Sequence, residues 1–449
     1  MSKLFGTDGI RGVANRDLTP EMALRLGRAA AAVIGAGKRR PRVVIARDTR
    51  ASGDMLASAL AAGLLSAGAN VIRTRVLPTP AVAFLVTDLG ADAGAVISAS
   101  HNPAEDNGIK FFGPDGFKLS DDQEAAIEEA FDRDAERPVA EGLGRLEFFE
   151  DVEYRYVNHA LAALEGRTLE GLRIVVDCAH GASHQTTPEA FRRAGAEALV
   201  IGAEPDGLNI NMGCGSVHPE AVAARVTEVG ADLGIAHDGD ADRVIAVDEA
   251  GSVVDGDHML AALALEMKEA GRLAGNRVVA TVMANLGFKQ AMSREGIEVL
   301  ETKVGDRYVL EEMRAKGAAI GGEQSGHLIF LDFGTTGDGL ITALRLAGHM
   351  ASSGRKLSDI AAVVTKFPQV LLNVRVPSPA GVESSAQIIE AVEQARQSLG
   401  SQGRILVRAS GTEPLVRIMV EAAEESTAGQ IARDLAGVVD EMLGAGAQG

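Results

Sequence analysis

A strand and helix pattern that occurs three times constrains the fold of this 449-residue chain more than any other feature. The segments PRVVIARDTR from Pro41, LRIVVDCAHG from Leu172 and NRVVATVMAN from Asn276 each contain a basic residue, a Val/Ile-rich strand and a polar loop. A helix-like segment, a short strand and another helix follow each of them. Alternating strands and helices are typical of βαβ units, so the repeat predicts three α/β/α domains with mostly parallel sheets.

The last part of the chain lacks this pattern. Its segments VLLNVRV, RILVRAS and LVRIMVEA alternate apolar and polar residues, which is typical of half-exposed antiparallel strands. We therefore predict an α/β fold in which a smaller C-terminal α+β domain follows the three repeated domains. The predicted domains are residues 1–155, 156–256, 257–366 and 367–449.

The balance of charge excludes several classes of partner. The chain has 44 Lys and Arg against 62 Asp and Glu, a net charge of −18, whereas nucleic acids and anionic membranes need a basic face. Two cysteines are too few for a disulfide framework or a zinc site, and no apolar run approaches the length of a membrane span. We expect a cytoplasmic protein with neither nucleic acid nor membrane as partner. An anionic substrate would need a local island of positive charge.

The first of three strand-end motifs is VISASHNPAEDNGIKFF, which begins at Val96. Its apolar run stops at a turn-forming segment, so the hydroxyl of Ser100 lies at the carboxyl end of a strand, where open α/β sheets bind ligands. With His101 beside it and Lys110 downstream, this serine is a candidate phosphoryl or acyl carrier. The alternative is an ordinary turn between a strand and a loop.

The second motif is HDGDADR, from His237 to Arg243. Asp238, Asp240 and Asp242 alternate, so an extended backbone would project all three carboxylates to one side. Two carboxylates about 4 Å apart repel by about 4 kcal/mol at an effective dielectric of about 20, and an all-oxygen ligand set favours Mg²⁺. An EF-hand loop fits less well because arginine replaces its central glycine. A solvated acidic loop is the remaining alternative.

The third motif, GGEQSGH, places Glu323, Ser325 and His327 on a glycine-flanked turn. Charged and neutral hydrogen-bonding groups this close suit the hydroxyls or the amine of a sugar. A turn around a buried structural histidine is the alternative. Arg307 upstream, and Arg11 in the glycine-rich opening FGTDGIRG, are further candidates for substrate contact. Three copies of one fold would place the three strand-end motifs in equivalent positions.

In the C-terminal domain, the segment RASGTEP joins two predicted strands. Ser410, Gly411 and Thr412 offer backbone N–H groups and hydroxyls, and Arg408 and Arg417 stand on either side of them. This combination predicts an anion-binding turn suited to phosphate. A plain hairpin turn is the alternative. The chain has no Walker A loop, so nucleoside triphosphates are not indicated.

The motifs SASHNP, DGDADR, GEQSGH and RASGTEP, in this order and spread over the whole chain, resemble those of the α-D-phosphohexomutase superfamily. The opening FGTDGIRG, DNGIKFF after the serine, and Gln324 are most similar to the bacterial members that act on glucosamine phosphates. The resemblance implies four domains around a central cleft and a phosphoserine at Ser100. It also implies interconversion of glucosamine 6-phosphate and glucosamine 1-phosphate, on the route to cell-wall amino sugars.

The charges suggest a mechanism for such a reaction. Phosphorylated Ser100 beside three aspartates needs one Mg²⁺ per chain, whose ligands the phosphate would complete. Mg²⁺ and Arg243 would stabilise the moving phosphoryl group, with His101 and Lys110 as candidate general acid or base. The intermediate would be glucosamine 1,6-bisphosphate. It would turn over while the loop of Arg408 holds the phosphate that is not reacting.

Other functions stay open at this stage. A phosphomannomutase or phosphoglucomutase would share the same machinery. A Mg²⁺-dependent phosphosugar hydrolase would use the acidic loop but admit water to the phosphoenzyme, and a non-catalytic regulator would only bind sugar phosphates. In each case the partner is a small phosphosugar. The sequence does not determine the oligomeric state, and a homodimer is one of the options.

Overall fold

The computed structural model describes residues 4–6, 8–35, 40–133, 137–410 and 414–444. The chain divides into two compact units. The first comprises Met1–Met283 and Gly296–Val363, and the second comprises Ala284–Glu295 and Val364–Gly449. The first unit contains three α/β sheets and the second contains a separate antiparallel sheet, so the predicted fold class is confirmed.

The first sheet of the first unit has six strands in the order β1-β5-β4-β2-β3-β6. Its strands are β1 (Ile10–Val13), β2 (Arg42–Arg47), β3 (Asn70–Val76), β4 (Ala93–Ile97), β5 (Asp106–Phe112) and β6 (Leu146–Phe148). Its helices are α1 (Pro20–Ile34), α2 (Gly53–Ser66), α3 (Thr79–Asp88) and α4 (Asp121–Phe131). Strands β4, β2, β3 and β6 run parallel, whereas β5 pairs antiparallel with both β4 and β1.

The second sheet has the order β11-β10-β9-β7-β8, and helix α5 (Val152–Ala162) precedes it. Its strands are β7 (Arg173–Asp177), β8 (Glu197–Ile201), β9 (Leu233–His237), β10 (Val244–Asp248) and β11 (Val253–Val254). Its helices are α6 (Thr186–Arg193) and α7 (Glu220–Val229). Strands β8, β7 and β9 are parallel, and β10 returns antiparallel to β9.

The third sheet has the order β13-β12-β14-β15. The helices of this part of the sequence are α8 (Gly256–Glu269), α9 (Leu286–Arg294), α10 (Asp306–Lys316), α11 (Gly339–Ser353) and α12 (Leu357–Ala361). The strands are β12 (Arg277–Thr281), β13 (Glu298–Thr302), β14 (Ile320–Gly322) and β15 (Leu328–Phe330). As in the other two sheets, the last parallel strand is followed by an antiparallel one: β14 is parallel to β12, and β15 pairs antiparallel with β14.

The three sheets therefore share one core order, β3-β2-β4-β5, β8-β7-β9-β10 and β13-β12-β14-β15. In each sheet the strand-end motif is the connection between the last parallel strand and the antiparallel strand after it. This equivalence is the structural meaning of the sequence repeat. It places the three motifs at the same edge of their respective sheets, the carboxyl end of the parallel strands, where ligands bind in this class of fold.

The second unit is an antiparallel sheet in the order β16-β18-β17. It consists of β16 (Gln369–Arg375), α13 (Ala386–Leu399), β17 (Gly403–Ala409), β18 (Leu415–Ala422) and α14 (Glu425–Leu443). Helix α9 belongs to this unit although its sequence lies between β12 and β13. Fully buried Glu421 accepts hydrogen bonds from the N–H of Leu286 at 3.0 Å and from Asn285 Nδ2 at 3.2 Å, which ties the start of α9 to β18. The four domain boundaries expected from the sequence stay predictions.

No helix in the part of the chain that the structure describes is both long enough and apolar enough to span a membrane.

Helices α1 and α2 cross at two glycines. A Cβ atom on Gly63 would lie 2.1 Å from the carbonyl oxygen of Leu24, and one on Gly27 would lie 2.3 Å from that of Leu60. No side chain fits at such distances, because both neighbours are backbone atoms that cannot rotate away. The close crossing of the first two helices therefore depends on glycine at both positions.

We predict that Gly63→Ala lowers the stability of the first unit by about 1–3 kcal/mol through overpacking. Gly437→Ala at an exposed position of α14, where a Cβ meets nothing within 4 Å, provides the matched control. It should stabilise the second unit by about 0.5–1 kcal/mol, because alanine is the better helix former. Thermal unfolding of the two full-length variants measures both effects. A higher midpoint for Gly63→Ala would contradict the account of the helix crossing.

Candidate active site

The three aspartates of the second motif lie in the turn between β9 and β10. Ala241 adopts the left-handed region with φ +56°, so the extended backbone expected from the sequence is wrong. The carboxylates nevertheless converge, because the turn brings one oxygen from each of Asp238, Asp240 and Asp242 within 4.8 Å of the others. All three residues are buried.

This cluster fits a hard divalent cation. Oδ1 of Asp240 and Oδ1 of Asp242 are buried and accept no hydrogen bond from the described residues. Burial, followed by the charges of Asp242 and Asp240, raises the pKa of Asp238 well above its ordinary value. Buried carboxylate oxygens without a donor are costly, and a metal ion would supply the missing positive charge. Magnesium suits an all-carboxylate set of this kind.

Ser100 lies directly against this acidic cluster. Its side chain is buried, and its Oγ–H donates to Asp238 Oδ2 at 2.5 Å. The residue has φ +53°, a left-handed conformation that is uncommon for serine. The structure thus brings the first and second strand-end motifs together.

A buried ion pair holds the Ser100 turn, and the sequence reasoning missed it. Arg50 Nη2 donates to the carbonyl oxygens of Ser100 at 2.9 Å and Asn102 at 2.8 Å, while Arg50 Nε donates to Asp48 at 2.9 Å. Asp48 also accepts from Ser98 Oγ at 2.6 Å, and Ser98 Oγ accepts from the N–H of Ser100 at 2.9 Å. The available signal was the position of ARDTR at the carboxyl end of β2, beside β4.

The second α/β sheet also contacts the Ser100 turn. Asn211 Nδ2 donates to the carbonyl oxygen of Ser100 at 3.0 Å. A Cβ on Gly239 would lie 2.6 Å from that same oxygen, so the metal-binding turn can approach only because this residue is glycine. At the start of α3, Thr79 Oγ1 donates to Asp240 Oδ2 at 2.6 Å. Contacts between residues this far apart in sequence do not appear as a sequence motif.

Lys110 supplies a fixed positive charge. Its buried ammonium lies 3.1 Å from Asp240 Oδ2 and 3.0 Å from Asp8 Oδ2. Burial acts to lower the pKa of Lys110, but the carboxylates of Asp240 and Asp8 outweigh it and raise that pKa above its ordinary value. Lys110 therefore stays protonated at physiological pH, which suits it to supply a positive charge rather than to act as a base.

His101 has the opposite electrostatic setting. Its Nδ1 lies 3.3 Å from Ser100 Oγ and 3.3 Å from Arg243 Nη1. Burial, with smaller contributions from the positive charges of Arg243 and Arg11, lowers the pKa of His101 to about 4. The imidazole is therefore neutral near pH 7 and is able to accept a proton.

A cavity of about 510 Å³ opens in front of these groups. Its charged and polar lining comes from all three α/β sheets and comprises Asp8, Arg11, His101, Asp242, Arg243, Asp306, Glu323 and His327. Arg11 is held in this lining by its ion pair with Asp8, and its Nη1 donates to Asn102 at 3.3 Å. The cavity thus combines arginines able to bind an anion with the acidic cluster behind them.

The residues of the third motif occupy different depths. Glu323 lines the cavity, and its Oε1 accepts from the N–H of Gly305 at 3.1 Å. His327 is 2% exposed and lies behind Asp242, with Nδ1 3.7 Å from Asp242 Oδ2. Such a position suits orientation of Asp242 better than the direct sugar contact expected from the sequence. Ser325 is exposed on the turn.

Arg307 is not directed at the cavity. Its guanidinium pairs with Asp121 and Glu124 of α4, the latter at 3.0 Å, and donates to the carbonyl oxygen of Leu119 at 3.0 Å. These acids already neutralise its charge, which disfavours the substrate contact expected from the sequence. Its neighbour Asp306 lines the cavity instead.

Models of the four phosphoglucomutase/phosphomannomutase domains match nearly the whole chain. Alpha/beta/alpha domains I, II and III match residues 2–138, 154–251 and 255–367, and the C-terminal domain matches residues 371–438. The chain belongs to the phosphoglucomutase/phosphomannomutase family. It is therefore a mutase, an enzyme of the isomerase class.

Relatives of this mutase include two bacterial phosphoglucosamine mutases. That of Paenarthrobacter aurescens is 56% identical, and the alignment covers 99% of each chain. That of Streptomyces griseus is 55% identical over 99% of this chain and all of the relative. Both comparisons extend through all four motifs.

Solved structures share the fold. A family protein from Burkholderia thailandensis is 26% identical, with a TM-score of 0.81 over 98% of this chain and 97% of that one. Aspergillus fumigatus N-acetylphosphoglucosamine mutase, solved with GlcNAc-6P and magnesium, is 19% identical. Its TM-score is 0.71 over 97% of this chain and 95% of that one, which supports the fold alone.

The predicted phosphate-binding loop of the mutase lies in the second unit, between β17 and β18. Arg408 and Arg417 are cross-strand partners in this pair of strands. Burial, followed by the charge of Arg417, lowers the pKa of Arg408. Ser410 Oγ is buried and makes no hydrogen bond to the described residues. Like charges opposite each other are unfavourable and suit an anion site. Gly411 and Thr412 lie outside the described residues.

We predict that Arg50→Met lowers kcat of the mutase by about 100-fold, because the Ser100 turn loses its buried donors and a small displacement of reacting groups is costly. Arg47→Met is the matched control, since this nearby arginine pairs with exposed Asp54 at 2.8 Å. The control should retain nearly full activity. Steady-state kinetics measure kcat of both variants, and circular dichroism verifies that they are folded. Equal kcat values for the two variants would contradict the role of Arg50.

Proposed function

We propose that this mutase interconverts glucosamine 6-phosphate and glucosamine 1-phosphate for amino-sugar and cell-wall precursor synthesis. The proposal rests above all on the Ser100 hydroxyl, which lies 2.5 Å from an acidic cluster behind a cavity lined by arginines. The choice of amino sugar is supported by the relatives named phosphoglucosamine mutase, at 56% and 55% identity over the full chain.

Asp238, Asp240 and Asp242 would hold one Mg²⁺, and a phosphate on Ser100 would add a further oxygen ligand. Bound there, the ion would offset the charge of the carboxylates and of the phosphoryl group. Two oxygens of the cluster have no hydrogen-bond donor among the described residues, which supports this assignment.

Ser100 carries the phosphoryl group between two positions of the sugar. In the first transfer, a sugar hydroxyl oxygen bonds to phosphorus as the bond from phosphorus to Ser100 Oγ breaks, and the product is glucosamine 1,6-bisphosphate. The bisphosphate then turns over. In the second transfer, Ser100 Oγ bonds to the phosphorus of the other phosphate as the bond from that phosphorus to its sugar oxygen breaks, and the freed sugar oxygen takes up the proton that Ser100 releases.

The surrounding side chains have separate tasks in this scheme. Lys110 and Arg243 hold positive charge beside the transferred group. Neutral His101 accepts the proton of the attacking hydroxyl, from the sugar in the first transfer and from Ser100 in the second, and passes it to the departing oxygen each time. Glu323 and Ser325 bind the sugar hydroxyls or amine.

The role proposed for the C-terminal loop is supported by its sequence and by contacts within the second unit alone. Arg408, Ser410 and Arg417, with Gly411 and Thr412, would bind the phosphate that is not being transferred. The cross-strand pair of arginines and the buried hydroxyl of Ser410 support this assignment. A phosphate held independently of the transfer site allows either end of the bisphosphate to react.

The alternative is a phosphomannomutase or phosphoglucomutase. The matched family models carry both of these names, and the Burkholderia thailandensis structure carries the family name. Both activities would use the same serine and acidic cluster. They differ only in the sugar that the cavity prefers.

A substrate panel tests the proposed sugar. The 1-phosphates of glucosamine, N-acetylglucosamine, glucose and mannose are assayed with Mg²⁺ and a trace of the matching bisphosphate. We expect kcat/KM for glucosamine 1-phosphate to exceed the others by about 10- to 100-fold, since a site that pairs with an amine rejects sugars lacking it. A chelator should abolish turnover and added Mg²⁺ should restore it. A preference for glucose or mannose would favour the alternative, and release of inorganic phosphate without isomerisation would indicate a hydrolase.

The carrier role of Ser100 has its own test. Ser100→Ala should lower kcat on the order of 10⁴-fold or more, because no other group takes the phosphoryl group. Intact-protein mass spectrometry after incubation with bisphosphate should show one phosphate on the wild type and none on the variant. Exposed Ser58, whose Oγ donates to the carbonyl oxygen of Asp54, provides a serine-to-alanine control with unchanged kinetics. Substantial turnover by Ser100→Ala would refute the scheme.

A further inference from the structure

Lys118 is a nearly buried lysine to which the transfer scheme gives no task. It lies between β5 and α4, and its side chain is 12% exposed. Its Nζ lies 2.6 Å from Asp8 Oδ1 and 2.5 Å from Asp306 Oδ2. One ammonium therefore joins the turn before β1 to the start of α10, two segments that belong to the first and third α/β sheets.

The first partner of Lys118 leads to the acidic cluster. Asp8 uses its other oxygen, Oδ2, to contact Lys110 Nζ at 3.0 Å. Lys110 in turn contacts Asp240 at 3.1 Å and lies 3.9 Å from Asp242. The position of Asp8 thus determines where the fixed charge of Lys110 is held.

The second partner leads to the same cluster from the opposite side. Asp306 Oδ2 lies 3.7 Å from His327 Nε2, and His327 Nδ1 lies 3.7 Å from Asp242 Oδ2. The N–H of Gly337 donates to His327 Nε2 at 3.0 Å, so Nε2 is an acceptor and Asp306 lies beside it without a hydrogen bond. Through Asp306, Lys118 is thus linked to the packing around the histidine that lies behind Asp242.

We propose that Lys118 is a positioning residue for the phosphoryl transfer proposed above. Its ammonium holds Asp8 and Asp306 in place; Asp8 pairs with Lys110, and Asp306 lies beside His327, and both of these side chains face the aspartate cluster. Lys118 has no contact of its own with the cluster. It acts through the placement of Lys110 and His327.

The charges make Lys118 hard to replace. Burial acts to lower the pKa of Lys118, but the carboxylates of Asp306 and Asp8 outweigh it and raise that pKa above its ordinary value. Without the ammonium, two carboxylates in the cavity lining would lose a shared partner where an anionic phosphosugar has to bind. Buried charges that lose their partner rearrange or draw in water. Lys110 would then lose its defined position beside Asp240.

Kinetics of Lys118→Met and Lys118→Arg test this role. For Lys118→Met we expect kcat to fall by about 10- to 100-fold, the usual cost of removing a group that orients ligands of a metal site, while KM changes by less than about threefold. Lys118→Arg keeps the charge and should recover much of the loss. Normal kcat for Lys118→Met would overturn the proposal. A raised KM with normal kcat would also overturn it, because that result indicates a direct substrate contact.

Two further variants separate positioning from general loosening. Arg345 is 1% exposed, bridges Glu165 at 3.0 Å and Glu266 at 2.7 Å, and does not line the cavity. Arg345→Met should lower the thermal midpoint at least as much as Lys118→Met yet leave kcat near the wild-type value. An equal fall of kcat in both variants would overturn the proposal.

The Asp306→Asn variant provides the coupling test. Lys118 and Asp306 act in one chain of contacts. The variant that combines Lys118→Met with Asp306→Asn should therefore lose no more kcat than Lys118→Met alone. Losses of kcat that multiply would overturn the proposal.

All kcat ratios are measured with the hexose phosphate that the wild type isomerises. A wild type that prefers another sugar would therefore refute the glucosamine assignment while leaving the test of Lys118 intact.

Discussion

The mutual repulsion of Asp238, Asp240 and Asp242 is the constraint on which the rest of the site depends. Three buried carboxylates within 4.8 Å of one another are unfavourable unless positive charge surrounds them. Lys110 and Arg243 supply part of this charge, and two carboxylate oxygens still have no donor among the described residues. A metal ion would supply the missing positive charge, and a phosphate on Ser100, which is itself negative, would need the same ion.

The same electrostatic requirement extends outwards from the cluster. Lys110, which contacts Asp240, is itself held by an acid outside the cluster, because it contacts Asp8 and Asp8 contacts Lys118. A chain with a net charge of −18 can thus create a local region where an anionic sugar phosphate binds. The positive charge is fixed in position by its acidic partners and does not depend on an excess of lysine and arginine.

Much of the fold could be predicted because its determinants are local. The three strand-end motifs follow apolar strands in the same order, and the sheets confirm their equivalence. The expected extended run of the aspartate motif was wrong because Ala241 turns the chain, although the convergence it implied is present. Helix α9 lies within the predicted third domain, residues 257–366, and the family model of domain III, at residues 255–367, also spans it. Its contacts nevertheless lie with the second unit, where buried Glu421 accepts from the N–H of its first residue, a contact between residues far apart in sequence.

The sequence by itself determined the fold class, the order of the motifs and the residue types that carry the chemistry, since periodicity and short motifs act over a few neighbouring residues. Only the tertiary structure decided what each of those residues contacts. It placed Arg307 against α4 and His327 behind Asp242, and it showed contacts of Arg50 and Lys118 that no motif indicated. The physical reason is that charge pairing and desolvation depend on distances across sheets, which residue order alone does not contain.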